Sequence, residues 1–198
     1  SQEMSVFDPS KIAIHSTSGY LYMLLGKQFL TLDARNQFKG LVGAEQVGFD
    51  FMDFLFRLFG SKKQQEKVGK RQPVSYNNFH ITPDNTVYAV SMSKSSQIKV
   101  INSIGNNTYP AGFYGEMAYE EDGKAIYPFF VDIAVTSGGM VTVAEQHSSK
   151  LYHYDAEGNL LAVFGGQGMN KGKFQLISSV AYDSRDRLYV LDATRGDI

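Results

Sequence analysis

The chain has 198 residues, and its 19 lysines and arginines against 20 aspartates and glutamates give a formal net charge of −1. This balance supplies no long-range field for nucleic acid, so nucleic acid is not an expected partner. The absence of cysteine excludes disulfides, thiolate metal sites and thiol catalysis. No stretch reaches the roughly 18 apolar residues that a membrane-spanning helix needs.

Four segments repeat one pattern: an apolar strand, a polar or glycine-containing turn, and a second apolar strand. They are KIAIHSTSGYLYML (11–24), NFHITPDNTVYAVS (78–91), DIAVTSGGMVTVAE (132–145) and SVAYDSRDRLYVLD (179–192). When the segments are superposed, one position holds Ile12, Phe79, Ile133 and Val180, and the second strand opens at Leu21, Val87, Val141 and Leu188. The two-residue spacing of apolar side chains around turns predicts antiparallel hairpins.

The first three hairpins continue into a third predicted strand, in QFLTLDARNQF (28–38), QIKVINSIGN (97–106) and KLYHYDAEGNL (150–160). A fourth strand, such as NLLAVFGG, follows the third after a tight turn. Antiparallel sheets of this size are the blades of β-propellers. The sequence therefore predicts an all-β propeller domain or propeller fragment over 1–198, with about four blades near 8–43, 74–104, 128–165 and 174–198.

Two insertions interrupt the repeats. The first, at about 44–72, carries Phe49, Met52, Phe56 and Phe59 at near-helical spacing, which predicts one inserted helix. Its second half is basic and predicts either a patch for a partner, an anionic ligand or a membrane surface, or merely solvated side chains. The residues of this lysine patch are Lys62, Lys63, Lys67, Lys70 and Arg71. The second insertion, at about 104–128, is rich in Gly and Tyr and is expected to be a long loop.

Three polar residues in the predicted first strands are candidate ligand-binding residues. Asn78 and Asp132 each precede the shared apolar position, and His80 stands where the other repeats have alanine. If the first strand is innermost, these side chains approach the centre of the ring. A structural histidine remains the alternative for His80, and the four histidines show no metal-ligand spacing. No catalytic residue and no metal site is predicted.

The last repeat, GGQGMNKGKFQLISSVAYDSRDRLYVLDATRGDI, resembles an NHL repeat. With YDAEGNLLAVFGG and the helical insert, the chain resembles the exported NHL-repeat proteins of Gram-positive bacteria that are often labelled gluconolactonase-like. This resemblance implies a six-bladed ring, of which about four blades are present here, and an extracellular or cell-surface location. The first residues, SQEMSVFDPSK, show no export signal, so either a cytoplasmic location or a removed targeting segment fits them.

The leading functional hypothesis is a noncatalytic propeller that binds a protein, peptide or glycan, without a cofactor. The alternative is a calcium-dependent lactonase or esterase of the propeller type, because a hard cation needs several oxygen ligands and Asn78 and Asp132 could supply two. Lys11, at the equivalent position of the first repeat, opposes a cation there. A structural module in an envelope assembly is the third hypothesis. An unfinished ring is also expected to self-associate through its open ends or to fray over 179–198.

Overall fold

The structure, a computed structural model, describes residues 7–42, 75–91, 97–103, 108, 114, 119–121 and 123–198. This part of the chain is all-β and is organised as four antiparallel sheets and one separate hairpin. Sheet 1 contains β1 (Lys11–Ile14), β2 (Leu21–Leu25), β3 (Gln28–Leu32) and β4 (Phe38–Val42). Sheet 2 contains β5 (Tyr76–Ile81), β6 (Val87–Ser91) and β7 (Ile98–Ile101). The hairpin is β8 (Tyr119–Glu121) with β9 (Lys124–Ile126). Sheet 3 contains β10 (Phe130–Val135), β11 (Val141–Glu145), β12 (Lys150–Tyr154) and β13 (Leu160–Gly165), and sheet 4 contains β14 (Ile177–Tyr182) and β15 (Leu188–Asp192).

The four hairpins pair in one register, as the superposed repeats predict. The shared apolar position pairs Ile12 with Met23, Phe79 with Ala89, Ile133 with Val143, and Val180 with Val190. A β-bulge also recurs in the first strands of sheets 2, 3 and 4, in each case just before the position that Asn78 and Asp132 occupy. Three of the repeats thus share a β-bulge as well as the apolar pattern, and this bulge lies next to the candidate residues.

The sheets pack face to face in chain order, because each first strand contacts the next first strand. Phe29 of sheet 1 packs on Phe79 of sheet 2, with ring centroids 4.9 Å apart. Sheets 2 and 3 bury Val90 and Val143 in one cluster, and sheets 3 and 4 share a third cluster that contains Val180. Fully burying one such side chain stabilises a fold by about 1.5–3 kcal/mol, so the inter-sheet layers are the core.

The two ends of this stack expose apolar side chains. On the face of sheet 1 that does not pack on sheet 2, Ile12 is 53% exposed and Ile14 is 69% exposed. On sheet 4, Tyr189 and Leu191 are exposed. These residues take positions that neighbouring sheets cover within the stack.

The two insertions differ in how far the structure describes them. The helix expected at 44–72, with its lysine patch, lies outside the described residues. The insertion at 104–128, expected as a loop, contains the hairpin β8–β9, and its Tyr114 is buried against Tyr154 with ring centroids 5.2 Å apart. In the described ranges, no helix is long and apolar enough to span a membrane.

Candidate functional site

The recurring bulge places Asn78 and Asp132 in the same local geometry. The Oδ1 atom of Asn78 accepts a hydrogen bond from the Phe79 N–H at 2.9 Å, and Asp132 Oδ1 accepts one from the Ile133 N–H at 2.9 Å. Bulges commonly redirect a side chain in this way. Each side chain therefore bends back towards its own strand.

Asp132 also joins sheet 3 to sheet 4. Its Oδ2 atom accepts hydrogen bonds from the Ser179 hydroxyl at 2.5 Å and from the Val180 N–H at 2.9 Å. The side chain is buried, at 3% exposure, so these donors provide the contacts that water would otherwise make. Between sheets 2 and 3 the corresponding link comes from Asn77, whose Nδ2 donates to the Phe130 carbonyl at 2.6 Å. Asp132 and Asn77 thus each connect two neighbouring sheets by a side-chain hydrogen bond, and we call them inter-sheet clamps.

His80 is half-buried and lies opposite Tyr88, on the face of sheet 2 that packs against sheet 3. Burial lowers the pKa of its imidazole; the charge of Asp132 raises this pKa and the charge of Lys11 lowers it, and the net direction is downward. Residues from three successive sheets, Lys11, His80 and Asp132, are thus close enough to interact electrostatically. The imidazole is neutral at neutral pH.

Because His80 has a lowered pKa, acid should destabilise the fold through this residue. The unfolded chain binds a proton on this imidazole more readily than the folded chain does. The contribution of His80 to the free energy of unfolding is therefore complete above the unfolded-state pKa of about 6.5, and it decreases as the pH falls from that value towards the lower pKa of the folded state. We expect His80→Gln to flatten the dependence of urea unfolding free energy on pH between about 7.5 and 5.5. His147→Gln, at an exposed histidine, is the control. An unchanged slope in His80→Gln would contradict this assignment.

Two buried carboxylates close the loops after the second strands of sheets 3 and 4. Glu145, which is 0% exposed, accepts hydrogen bonds from the N–H groups of Phe129 and His147 through Oε1. Its Oε2 atom accepts from both the N–H and the hydroxyl of Ser148. A single side chain therefore fixes the approach to β10 and the turn after β11.

Asp192 is the equivalent residue of sheet 4. Desolvation tends to raise the pKa of Asp192, but the N–H donors outweigh desolvation and hold this pKa below its ordinary value. These donors are the N–H groups of Gln175, Arg195, Leu176 and Thr194. Two repeats thus use the same carboxylate position for the same purpose.

A cleft of about 500 Å³ opens between sheets 3 and 4. Beside it, the buried Thr142 hydroxyl lies 2.7 Å from His153 Nδ1 and 2.6 Å from the Tyr182 hydroxyl. His153 and Tyr182 both line the cleft. The three polar groups therefore satisfy one another at the base of an open space.

Sequence reasoning selected Asn78, His80 and Asp132, and the structure places them along the first strands of neighbouring sheets. It did not select Glu145. The available signal was that Glu145 and Asp192, two acidic residues, occupy the same position in their repeats. Sequence reasoning also missed the contact of Thr142 with Tyr182, for which nothing in the pattern is a signal.

The candidate carboxylate and amide oxygens are already used within the protein. Asp132 accepts three hydrogen bonds and the Asn78 Oδ1 accepts one. In the part of the chain that the structure describes, no three His, Asp or Glu side chains converge in a way that could hold a metal ion. The arrangement is suited to holding neighbouring sheets together.

No protein-family model and no curated protein matches this sequence. Solved structures do match. A protein of unknown function from Bacteroides caccae has a TM-score of 0.56 at 12% identity, over 93% of this chain and 53% of that protein. Virginiamycin B lyase from Staphylococcus aureus has a TM-score of 0.52 at 12% identity, over 91% of this chain and 47% of the lyase. A catalytically inactive form of this lyase with quinupristin has a TM-score of 0.54 at 11% identity, over 97% of this chain and 51% of that one.

The fold is β-propeller-like. The chain spans about half the length of these similar structures. At such low identity the likeness concerns the fold alone, because one propeller architecture supports many unrelated functions.

Proposed function

We propose that the chain is a noncatalytic binding and scaffold module of an NHL-type β-propeller, and that it binds a protein, peptide or glycan at a bacterial cell surface. The observation that carries this proposal is the use of Asp132. A carboxylate that acts as a catalytic acid, base or metal ligand must offer an oxygen to the substrate or ion, whereas the Asp132 oxygens accept hydrogen bonds from Ile133, Ser179 and Val180. Its chemistry is that of a structural clamp.

The remaining polar groups near this clamp suit ligand binding. His80 is a neutral imidazole with both donor and acceptor capacity, and Lys11 from the neighbouring sheet supplies a positive charge. A glycan hydroxyl or a peptide carbonyl can bond to such groups without any reaction. We therefore assign ligand contact to His80, with Asn78 beside it on the same strand.

Binding to purified Gram-positive cell-wall peptidoglycan is a direct test. We expect saturable co-sedimentation of the chain with this material, unaffected by EDTA, and at least fivefold weaker binding for His80→Ala than for the exposed control His147→Ala. A peptidoglycan digest and a random peptide library tested by the same assay separate glycan from peptide recognition. Calcium-dependent thermal stabilisation together with lactone hydrolysis would favour the hydrolase alternative, and absence of binding to all three probes would overturn the proposal.

The exposed ends of the stack support a further expectation, that this chain self-associates. Ile14 is 69% exposed on an apolar sheet face, and such faces are costly in water. Multi-angle light scattering at micromolar concentration should show species larger than a monomer. Ile14→Asp should shift them towards the monomer, whereas Thr17→Asp, in the exposed adjacent turn, should not. A strictly monomeric parent chain would contradict this expectation.

A further inference from the structure

The loops at one end of sheets 3 and 4 form a common surface. The residues that pair at this end are Phe130, Glu145, Lys150 and Gly165 in sheet 3 and Ile177 and Asp192 in sheet 4. The loops 127–129, 146–149 and 166–176 therefore leave the two sheets on the same side. We call this surface, together with the strand ends that it joins, the loop face.

Large apolar side chains are exposed on the loop face. Met169, in the loop between sheets 3 and 4, is 69% exposed. Phe129 and Leu176 are also exposed, and each directly precedes the first paired residue of its sheet, so the two occupy one position of the repeat. Glu145 accepts a hydrogen bond from the Phe129 N–H, and Asp192 accepts one from the Leu176 N–H. The repeat thus presents an apolar side chain to solvent twice, from the same hydrogen-bonded position.

The loop that carries Met169 is closed by its own hydrogen bonds. The Gly168 N–H donates to the Phe174 carbonyl at 3.1 Å, and the Phe174 N–H donates to the Gly166 carbonyl at 3.0 Å. The side chain of Lys173 crosses this loop, and its Nζ donates to a main-chain carbonyl at 2.6 Å. A loop that is already ordered loses little conformational entropy when it contacts a partner.

The exposed charge of the loop face is positive. Three exposed lysines, Lys150, Lys171 and Lys173, lie on it, and within residues 123–198 none of them forms an ion pair with a carboxylate. The carboxylates of Glu145 and Asp192 at this end are buried and accept hydrogen bonds from main-chain N–H groups. They therefore offer no exposed negative charge beside the lysines.

The opposite end of the same two sheets has the opposite charge. Its turns carry four carboxylates and two guanidinium groups, on Asp155, Glu157, Asp183, Asp186, Arg185 and Arg187. On the loop side, the adjacent pair of Arg195 with Asp197, 2.6 Å apart, is neutral. Sheets 3 and 4 thus present a basic end with exposed apolar side chains and an acidic end.

We propose that the loop face docks on a membrane surface that carries anionic lipid headgroups, with its lysines at the headgroups and Met169, Phe129 and Leu176 at the boundary with the acyl chains. Peripheral membrane binding combines buried apolar area with electrostatic attraction, and the loop face supplies both. A dissolved polyanion would attract the lysines but would give the apolar side chains no apolar environment. Repulsion of the acidic end sets the orientation. This surface is separate from His80 and does not depend on the ligand proposed there.

Co-sedimentation of the intact chain with vesicles tests this docking. We expect saturable binding to phosphatidylcholine vesicles that contain about 30% phosphatidylglycerol, at least about tenfold tighter than binding to pure phosphatidylcholine. Binding should weaken as the NaCl concentration is raised towards about 0.5 M, because salt screens the attraction. Polyglutamate at the same charge concentration should compete poorly, since it offers no apolar phase.

Two matched pairs of variants locate the contact. Lys171→Glu should weaken binding to the anionic vesicles about tenfold, whereas Arg185→Glu, the same charge change at an exposed residue of the acidic end, should not weaken it. Met169→Ser should weaken binding about fivefold at constant charge, and Met140→Ser, at an exposed methionine of the acidic end, should leave it unchanged. All four residues are exposed, so the variants are expected to fold.

Three results would overturn the proposal. They are the absence of saturable binding to the anionic vesicles, equal binding by the two members of either pair, and full competition by polyglutamate. The last of these would show that the lysines act as a simple anion exchanger.

Discussion

Replacing Glu145 with alanine should lower the free energy of unfolding by about 4 kcal/mol, near the upper end for single substitutions. The substitution leaves the N–H groups of Phe129, His147 and Ser148 without their acceptor at a position that has 0% exposure. Each of these partly buried donors costs up to about 1–3 kcal/mol when it loses its acceptor, and the costs are not additive because the loop can relax and water can reach the exposed residues Phe129 and His147. Urea unfolding at constant m-value measures the loss.

One further variant separates charge from packing at this position, and another is an exposed control. Glu145→Gln keeps the size of the side chain but points an amide NH₂ group at N–H donors, so we expect it to destabilise by about half as much as alanine does. Glu157→Ala, at an exposed carboxylate of the β12–β13 turn, should change stability by less than about 0.5 kcal/mol. A Glu145→Ala protein as stable as Glu157→Ala would show that the buried hydrogen bonds contribute little.

Asp132→Ala should destabilise the protein by about 3 kcal/mol and should loosen sheet 4 selectively. The change removes the acceptor of the Val180 N–H, so hydrogen exchange at this amide should accelerate more than exchange at Val143 of the same sheet as Asp132. Loss of the carboxylate also removes the charge that raises the pKa of His80, so this pKa should fall further.

Asn78→Ala is the matched control for that experiment. Asn78 occupies the same bulge position, but the hydrogen bond of its Oδ1 stays within its own strand, at the Phe79 N–H. We expect a cost of about 1 kcal/mol and no change in exchange at Val180. Equal costs for the two variants, with equal exchange at Val180, would refute the role of Asp132 as a clamp between sheets.

Part of the candidate site could be predicted because it follows the repeat. Asn78 and Asp132 were found at one position of the four superposed segments and His80 at a second position two residues later, and the structure places each of them in that register. The comparison identifies polar residues at a shared position and, at His80, a residue that differs from its repeat equivalents. It cannot say whether a polar side chain points to solvent, to its own strand or to the next sheet, because that depends on the bulge.

The structural role of Glu145 depended on partners that the repeat pattern does not display. Phe129 lies 16 residues earlier in the chain, and its N–H approaches Glu145 only after β10 and β11 have paired. In the sequence the residue is one acidic side chain after an apolar strand, which is typical of an exposed turn. The same limit applied to Thr142, whose partner Tyr182 is 40 residues away.

The sequence by itself determined the sheets, the shared register and the turns, because alternating apolar residues and turn residues act between neighbours in the chain. Only the tertiary structure decided that Asp132 is a clamp, since Ser179 and Val180 lie 47 and 48 residues away. It likewise decided that His80 is neutral, because its pKa depends on burial between sheets and on charges from two other repeats. Local periodicity specifies strands, whereas hydrogen bonds and desolvation between distant segments exist only once the sheets have packed.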